Sequence, residues 1–161
     1  MIRLKTSVLL GCCLKMGAIA AGASAMDTDL IYKAGENLGL AFQLQDDLLD
    51  TFGNQDLFGK KIGGDILAGK KTYLYINTLQ NLNKEDSAKF LNTLKNNNLA
   101  PEYKIETIKN FYIQTHSDSV IKNLIAQYHQ NAISLIEEIK IPDKNKAPLL
   151  ETAGKLLVRN S

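Results

Sequence analysis

The stretch from Leu38 to Phe52 constrains this chain most. Placed on a helix at ~100° per residue, Gly39, Gln43, Asp46 and Asp50 share one narrow stripe, with Asp47 on its flank. The rest of the circumference is Leu38, Ala41, Phe42, Leu44, Leu48, Leu49 and Phe52, interrupted by Gln45. A helix apolar over most of its surface belongs inside a bundle. The expected fold is therefore all-α. Three carboxylates and an amide are expected to point from a buried helix into a shared space.

That arrangement opposes folding. Asp46 and Asp50 form a like-charge i,i+4 pair, unfavourable by roughly 0.2–0.5 kcal/mol even when exposed. In a partly buried cleft the desolvation cost is larger unless a proton or a cation neutralises the cluster. Hard oxygen ligands with no His or Cys beside them suit Mg²⁺, which takes one or two carboxylates and completes its shell with water and phosphate oxygens. The competing reading is a solvated acidic patch near a helix end, and the apolar surroundings weigh against it.

Composition narrows the class. The 161 residues suffice for one domain with its own core, taken here as residues 1–161. A net charge of +2, spread along the chain without interleaved aromatics, argues against nucleic acid as a partner. Cys12 and Cys13 are the only cysteines and are adjacent, so no disulfide framework is expected. That fits a reducing, cytoplasmic setting. The start of the chain mimics a signal sequence, with a Leu9-Leu10-Gly11-Cys12 box and an Ala23-Ser24-Ala25 site. Lys15 breaks the apolar run before the second of these, and the first leaves only a handful of apolar residues, short of the ~7–15 such a segment needs. No run approaches the ~18 apolar residues of a membrane span, so no membrane anchor is expected.

Helical patterns cover most of the chain. The first runs from about Thr6 to Ala25. Asp27 is expected to cap the next, which reaches about Phe52. Gly35 and Gly39 within it each cost about 1 kcal/mol against Ala. Packing accounts for Gly35, whereas Gly39 shares the acidic stripe and leaves a ligand arguable. Later helices span about Thr72–Leu82, Lys84–Lys95 capped by Asn83, Pro101–His116, Ser117–Ile139 and Lys146–Val158. Strand signals are absent. His116 and His129 stand alone and are expected at the surface or its boundary. Between Phe58 and Thr72 lie Gly59, Lys60, Lys61, Gly63, Gly64, Gly69, Lys70 and Lys71. Glycine turns and lysine charges suit phosphate. A P-loop is excluded because Lys71 stands where Ser or Thr is required and no strand precedes.

Taken together, these residues resemble the C-terminal half of the trans-prenyltransferases, the polyprenyl synthetases that include farnesyl and geranylgeranyl diphosphate synthases. Phe42-Gln43-x-x-Asp46-Asp47-x-x-Asp50 looks like their second aspartate-rich motif. Gly59-Lys60, Gly64-Asp65 and Gly69-Lys70-Lys71-Thr72 resemble the loop that follows it, and Lys5-Thr6 resembles the Lys-Thr pair on the preceding helix. The resemblance implies an isoprenoid synthase helical bundle, here incomplete. It implies Mg²⁺ held by Asp46, Asp47 and Asp50, with Asp46 the direct ligand. An allylic diphosphate would be held by Lys5, Lys60 (or Lys61) and Lys70, and Thr6 and Gln43 would flank a developing carbocation. The implied reaction joins that substrate to isopentenyl diphosphate, and the full-length form is expected to be a homodimer. The family's first aspartate-rich motif has no counterpart here, so the chain is expected to be a fragment, inactive alone. The alternatives are a non-catalytic helical remnant or dimerisation module, and another enzyme on the isoprenoid synthase scaffold. The Gly-Lys loop argues against the latter.

Overall fold

A computed structural model describes residues 3–54 and 62–157, without the side chains of Lys5 and Leu157. Every regular element among them is helical. A π-helical turn, Arg3–Ser7, leads into α1 (Val8–Ala20). Then come α2 (Ala25–Phe52), a short α3 (Gly64–Leu67), α4 (Tyr73–Asn81) and α5 (Lys84–Lys95). The chain continues through α6 (Pro101–Gln114), α7 (Ser117–Glu138) and α8 (Asp143–Leu157). None of these helices is long and apolar enough to cross a membrane.

The boundaries follow local chemistry. α1 stops short of the expected Ala25, because Ala23 N–H turns back to the Ala18 carbonyl and Gly22 takes a positive φ, closing the helix end. The cap of α2 is Ser24 rather than Asp27. The Asp27 N–H donates to Ser24 Oγ at 3.1 Å, and the Thr28 N–H donates to the Ser24 carbonyl. Asp27 sits three residues later, as the acid of a capping pair. Asn83 caps α5 as expected, accepting from the Asp86 N–H at 2.8 Å. Pro101 opens α6, where its missing N–H costs nothing. The last helix begins at Asp143, directly after Pro142 and three residues before the expected Lys146.

Contacts divide the chain into two compact units, Met1–Gln43 with Asn123–Ser161, and Leu44–Lys122. In the first, α1 and α2 meet backbone to backbone. A Cβ on Gly35 would lie 2.7 Å from Gly11 Cα, and one on Gly39 would lie 2.5 Å from Ser7 Cα. Gly39 is thus a packing glycine, and the ligand reading for it gives way to Ser7. Leu30, Ile31 and Ala34 of α2 then pack with Ile136 and Ile139, and Leu149 and Leu150 lean against them. Asp27 ties this unit together: its Oδ1 accepts the Lys140 N–H at 3.0 Å across 113 residues. His129 is half-buried and its Nε2 lies 3.2 Å from the Ala153 carbonyl, while His116 is exposed.

The second unit centres on Phe90, fully buried, with its ring 5.5 Å from Tyr75, 5.6 Å from Phe111 and 6.1 Å from Tyr112. Beside it the buried Thr78 hydroxyl shares hydrogen bonds with Thr115 and Ser117, and Asn77 Nδ2 donates to Ser117 Oγ. These satisfied hydroxyls brace the α6–α7 junction, where His116 takes a φ of 54°.

Candidate functional site

In the second unit the last turns of α2 carry the acids into three environments. Asp46 is exposed, Asp47 is 1% exposed, and Asp50 lies between. Helical geometry explains the divergence: Asp50 is about 40° round from Asp46, whereas Asp47 is turned by about 100°. The three carboxylates therefore do not form one cluster, and among the described residues no group of three His, Cys, Asp or Glu is placed to hold a metal ion.

Asp47 meets Lys70, whose Nζ donates to Asp47 Oδ1 at 3.0 Å and to Asp65 Oδ2 at 2.7 Å. Burial opposes the Lys70 charge, but the bonds to Asp65 and Asp47 outweigh it and raise its pKa. Asp50 is held differently. The Gly63 N–H donates to the Asp50 carbonyl, and the Asp65 N–H donates to Asp50 Oδ2 at 2.8 Å. That turn needs Gly63 at φ 82°, a left-handed conformation that glycine adopts without strain. Burial pushes the Asp50 pKa up. The Asp65 N–H works the other way, while the nearby charges of Asp65 and Asp46 add to the rise.

Two further residues belong to this arrangement. Thr72 is buried, caps α4 by accepting from the Tyr75 N–H, and lies against the Tyr112 phenol. Burial, and after it the charge of Asp65, raise the Tyr112 pKa. Tyr112 was not visible as a site residue: it occupies a core position four residues after Ile108 on α6, and its only signal is a phenol that needs a partner indoors. Asp65 stood in the glycine-lysine loop without an assigned role.

In the first unit Thr6 Oγ1 donates to Gln43 Oε1 at 3.1 Å, joining two of the residues singled out in the sequence. The Lys5 side chain, and Lys60 and Lys61 altogether, lie outside the described residues.

The helical architecture of the described residues, with acids at the end of one long helix and lysines after it, is that of an isoprenoid synthase type of protein. The fold matches a solved geranylgeranyl pyrophosphate synthase with a TM-score of 0.88 and 41% identity, over 99% of this chain and 50% of that one. The chain belongs to the polyprenyl synthetase family, whose pattern matches residues 1–111. It is 35% identical over 159 residues to a geranylgeranyl diphosphate synthase of Sulfolobus acidocaldarius, covering 99% of this chain and 48% of that protein. A geranylgeranyl pyrophosphate synthase of Corynebacterium glutamicum, solved with isoprenyl diphosphate and magnesium, matches with a TM-score of 0.84 at 30% identity, over 98% of this chain and 44% of that one. The chain thus spans about half the length of the relatives it matches.

Proposed function

We propose that this chain supplies the second-aspartate half of an isoprenyl diphosphate synthase, which condenses an allylic diphosphate with isopentenyl diphosphate in a Mg²⁺-dependent reaction. The supporting observation is a charge imbalance. Among the described residues Asp47 and Asp65 share Lys70, while the Asp50 carboxylate, bonded by the Asp65 N–H, feels the like charges of Asp65 and Asp46. A divalent cation relieves such an excess of negative charge.

The residues fit that ion through Asp46 and Asp50. One is exposed, the other is fixed by a backbone N–H, and together they offer the one or two carboxylates that Mg²⁺ takes while keeping places for water and diphosphate oxygens. When bound, the ion draws charge from the departing diphosphate as a Lewis acid. Asp47 serves instead through Lys70, holding the loop against α2. Lys5 and Lys60 act as point charges on the diphosphate. Thr6 and Gln43, already hydrogen-bonded to each other, present oxygens beside the allylic carbon as positive charge develops there. The condensation closes when a proton leaves for the released diphosphate. A homodimeric, cytoplasmic full-length enzyme accords with this reading.

Thermal melting with Mg²⁺ and a bisphosphonate is the test. The wild-type chain is expected to gain several degrees in Tm, because a ligand that binds only the folded form stabilises it. Asp46→Asn and Asp50→Asn are expected to lose that gain. A wild-type melt indifferent to the mixture would leave a non-catalytic helical remnant as the better description. Alone, the chain is expected to give no product from allylic and isopentenyl diphosphates.

A further inference from the structure

We propose that Glu36 is a positioning residue: through Arg3 it sets the π-helical turn that carries Lys5 and Thr6. The inference rests on the reading of Lys5 and Thr6 given above, and adds to it two residues that no motif marks.

A π-helical turn needs support. Its hydrogen bonds reach one residue further back than those of an α-helix, so the form is rare, short and frequent at functional sites. Arg3–Ser7 takes it directly ahead of α1, with Lys5 at its centre and Thr6 next. Ser7 gives the turn no polar support. It stands at the N-cap position of α1 with helical angles, φ −68° and ψ −43°, and makes no capping bond. Its Oγ is buried and has no hydrogen-bond partner among the described residues, which opposes the fold. The turn is therefore shaped from outside.

The shaping comes from α2, within the same unit. Arg3 Nε donates to Glu36 Oε1 at 2.8 Å, Thr6 Oγ1 donates to Gln43 Oε1 at 3.1 Å, and a Cβ on Gly39 would lie 2.5 Å from Ser7 Cα. Glu36, Gly39 and Gln43 are spaced i, i+3, i+7, which places them within an arc of about 60° along roughly 10 Å of one helix face. The turn is thus fastened at both ends to one stripe, and Lys5 lies between the fastenings. The three contacts act differently. Gly39 makes room, and Gln43 with Thr6 is a neutral pair already assigned to the site. Arg3 with Glu36 is the charge-assisted bond, roughly twice as strong as a neutral one. The Glu36 side chain is 13% exposed and that of Arg3 is 62% exposed, so a fixed carboxylate receives a guanidinium that reaches it from water. A pair open to water adds little to global stability. What it sets is local: where the turn begins, and with it the backbone that bears Lys5.

The test is a bisphosphonate titration of the 161-residue chain in saturating Mg²⁺. Glu36→Arg sets two cations side by side and is expected to weaken binding by about tenfold, as loss of a supporting partner does around other metal sites. The substitution also adds positive charge, which by itself would favour an anion, so a weakening reports geometry. Arg3→Glu with Glu36→Arg restores the pair at unchanged net charge and is expected to recover wild-type binding. Without ligand both variants should melt within about 2 °C of wild type, as changes to an exposed pair do. In Glu36→Arg, amide exchange over Val8–Gly11, whose bonds reach back into the turn, should quicken. The proposal is overturned if Glu36→Arg binds or exchanges as wild type does, or if the double variant binds as weakly as the single one. A wild-type chain that binds no bisphosphonate overturns the site reading itself, and this inference with it.

Discussion

Lys70 shows how a residue's role depends on what folding brings to it. Its motif resembles a diphosphate-binding lysine, yet here its ammonium is spanned by Asp47 and Asp65. The Asp47 side chain is 2% exposed and that of Lys70 is 35% exposed. Lys70→Met is therefore expected to take one ion-pair partner from a buried carboxylate and to cost about 2–3 kcal/mol. That is somewhat less than the ~3–5 kcal/mol of a wholly buried pair, because water reaches the lysine. Asp47→Asn in the Lys70→Met background should recover part of the loss, with a coupling of about 1–3 kcal/mol in denaturant melts. If Lys70→Met melts within ~0.5 kcal/mol of wild type, the size of an ordinary surface change, the lysine is no structural tie and is available to substrate. The acids themselves were legible from spacing. Their separate environments were not, since helical phase alone does not say that a lysine 23 residues on will claim Asp47.

At the scale of elements, periodicity and breakers located most helices to within a few residues, because those signals are local. The errors arose where a turn or a partner decided. Ser24 rather than Asp27 caps α2 because the helix already begins at Ala25, which leaves the Asp27 carboxylate to accept from the Ser24 hydroxyl and from Lys140 on a distant segment. Gly39 sat on the acidic stripe and invited a ligand, but its neighbour is Ser7, a contact no local pattern encodes. The glycines of the α1–α2 crossing give a direct check. Gly35→Ala and Gly39→Ala each gain helix propensity of about 1 kcal/mol. Each also drives a methyl into backbone at 2.7 Å and 2.5 Å, where no side chain can swing aside. Overpacking of this kind costs ~1–3 kcal/mol, so both variants are expected to melt below wild type. Gly154→Ala in α8 meets nothing within 4 Å and should stabilise by about 0.5–1 kcal/mol. Parallel thermal melts of the three variants decide the matter, and a stabilised Gly39→Ala would mean that α1 and α2 do not approach so closely.

For the molecule as a whole, the first unit is discontinuous, made from the two ends of the chain with Leu44–Lys122 between them in sequence. Its apolar cluster joins α2 to α7 and α8, and Asp27 adds a polar clasp at one edge, accepting from the Lys140 N–H and the Ser24 hydroxyl. Those bonds favour the charged carboxylate: first the Lys140 N–H, then Ser24, hold its pKa below the ordinary value. The linkage has a definite sign. In the unfolded chain Asp27 takes up a proton near pH 4, while in the folded chain it does so only at lower pH, so the unfolded state binds more protons in that window. The clasp therefore contributes fully above the unfolded pKa and is lost as pH falls through the folded one. Asp27→Asn removes that dependence, since an amide oxygen accepts the same bonds without titrating. Melting temperatures from pH 7 to pH 3 should show wild type above Asp27→Asn at neutral pH and the gap narrowing below about pH 4. A gap that stays constant with pH would mean that the carboxylate's charge has no part in joining the two ends.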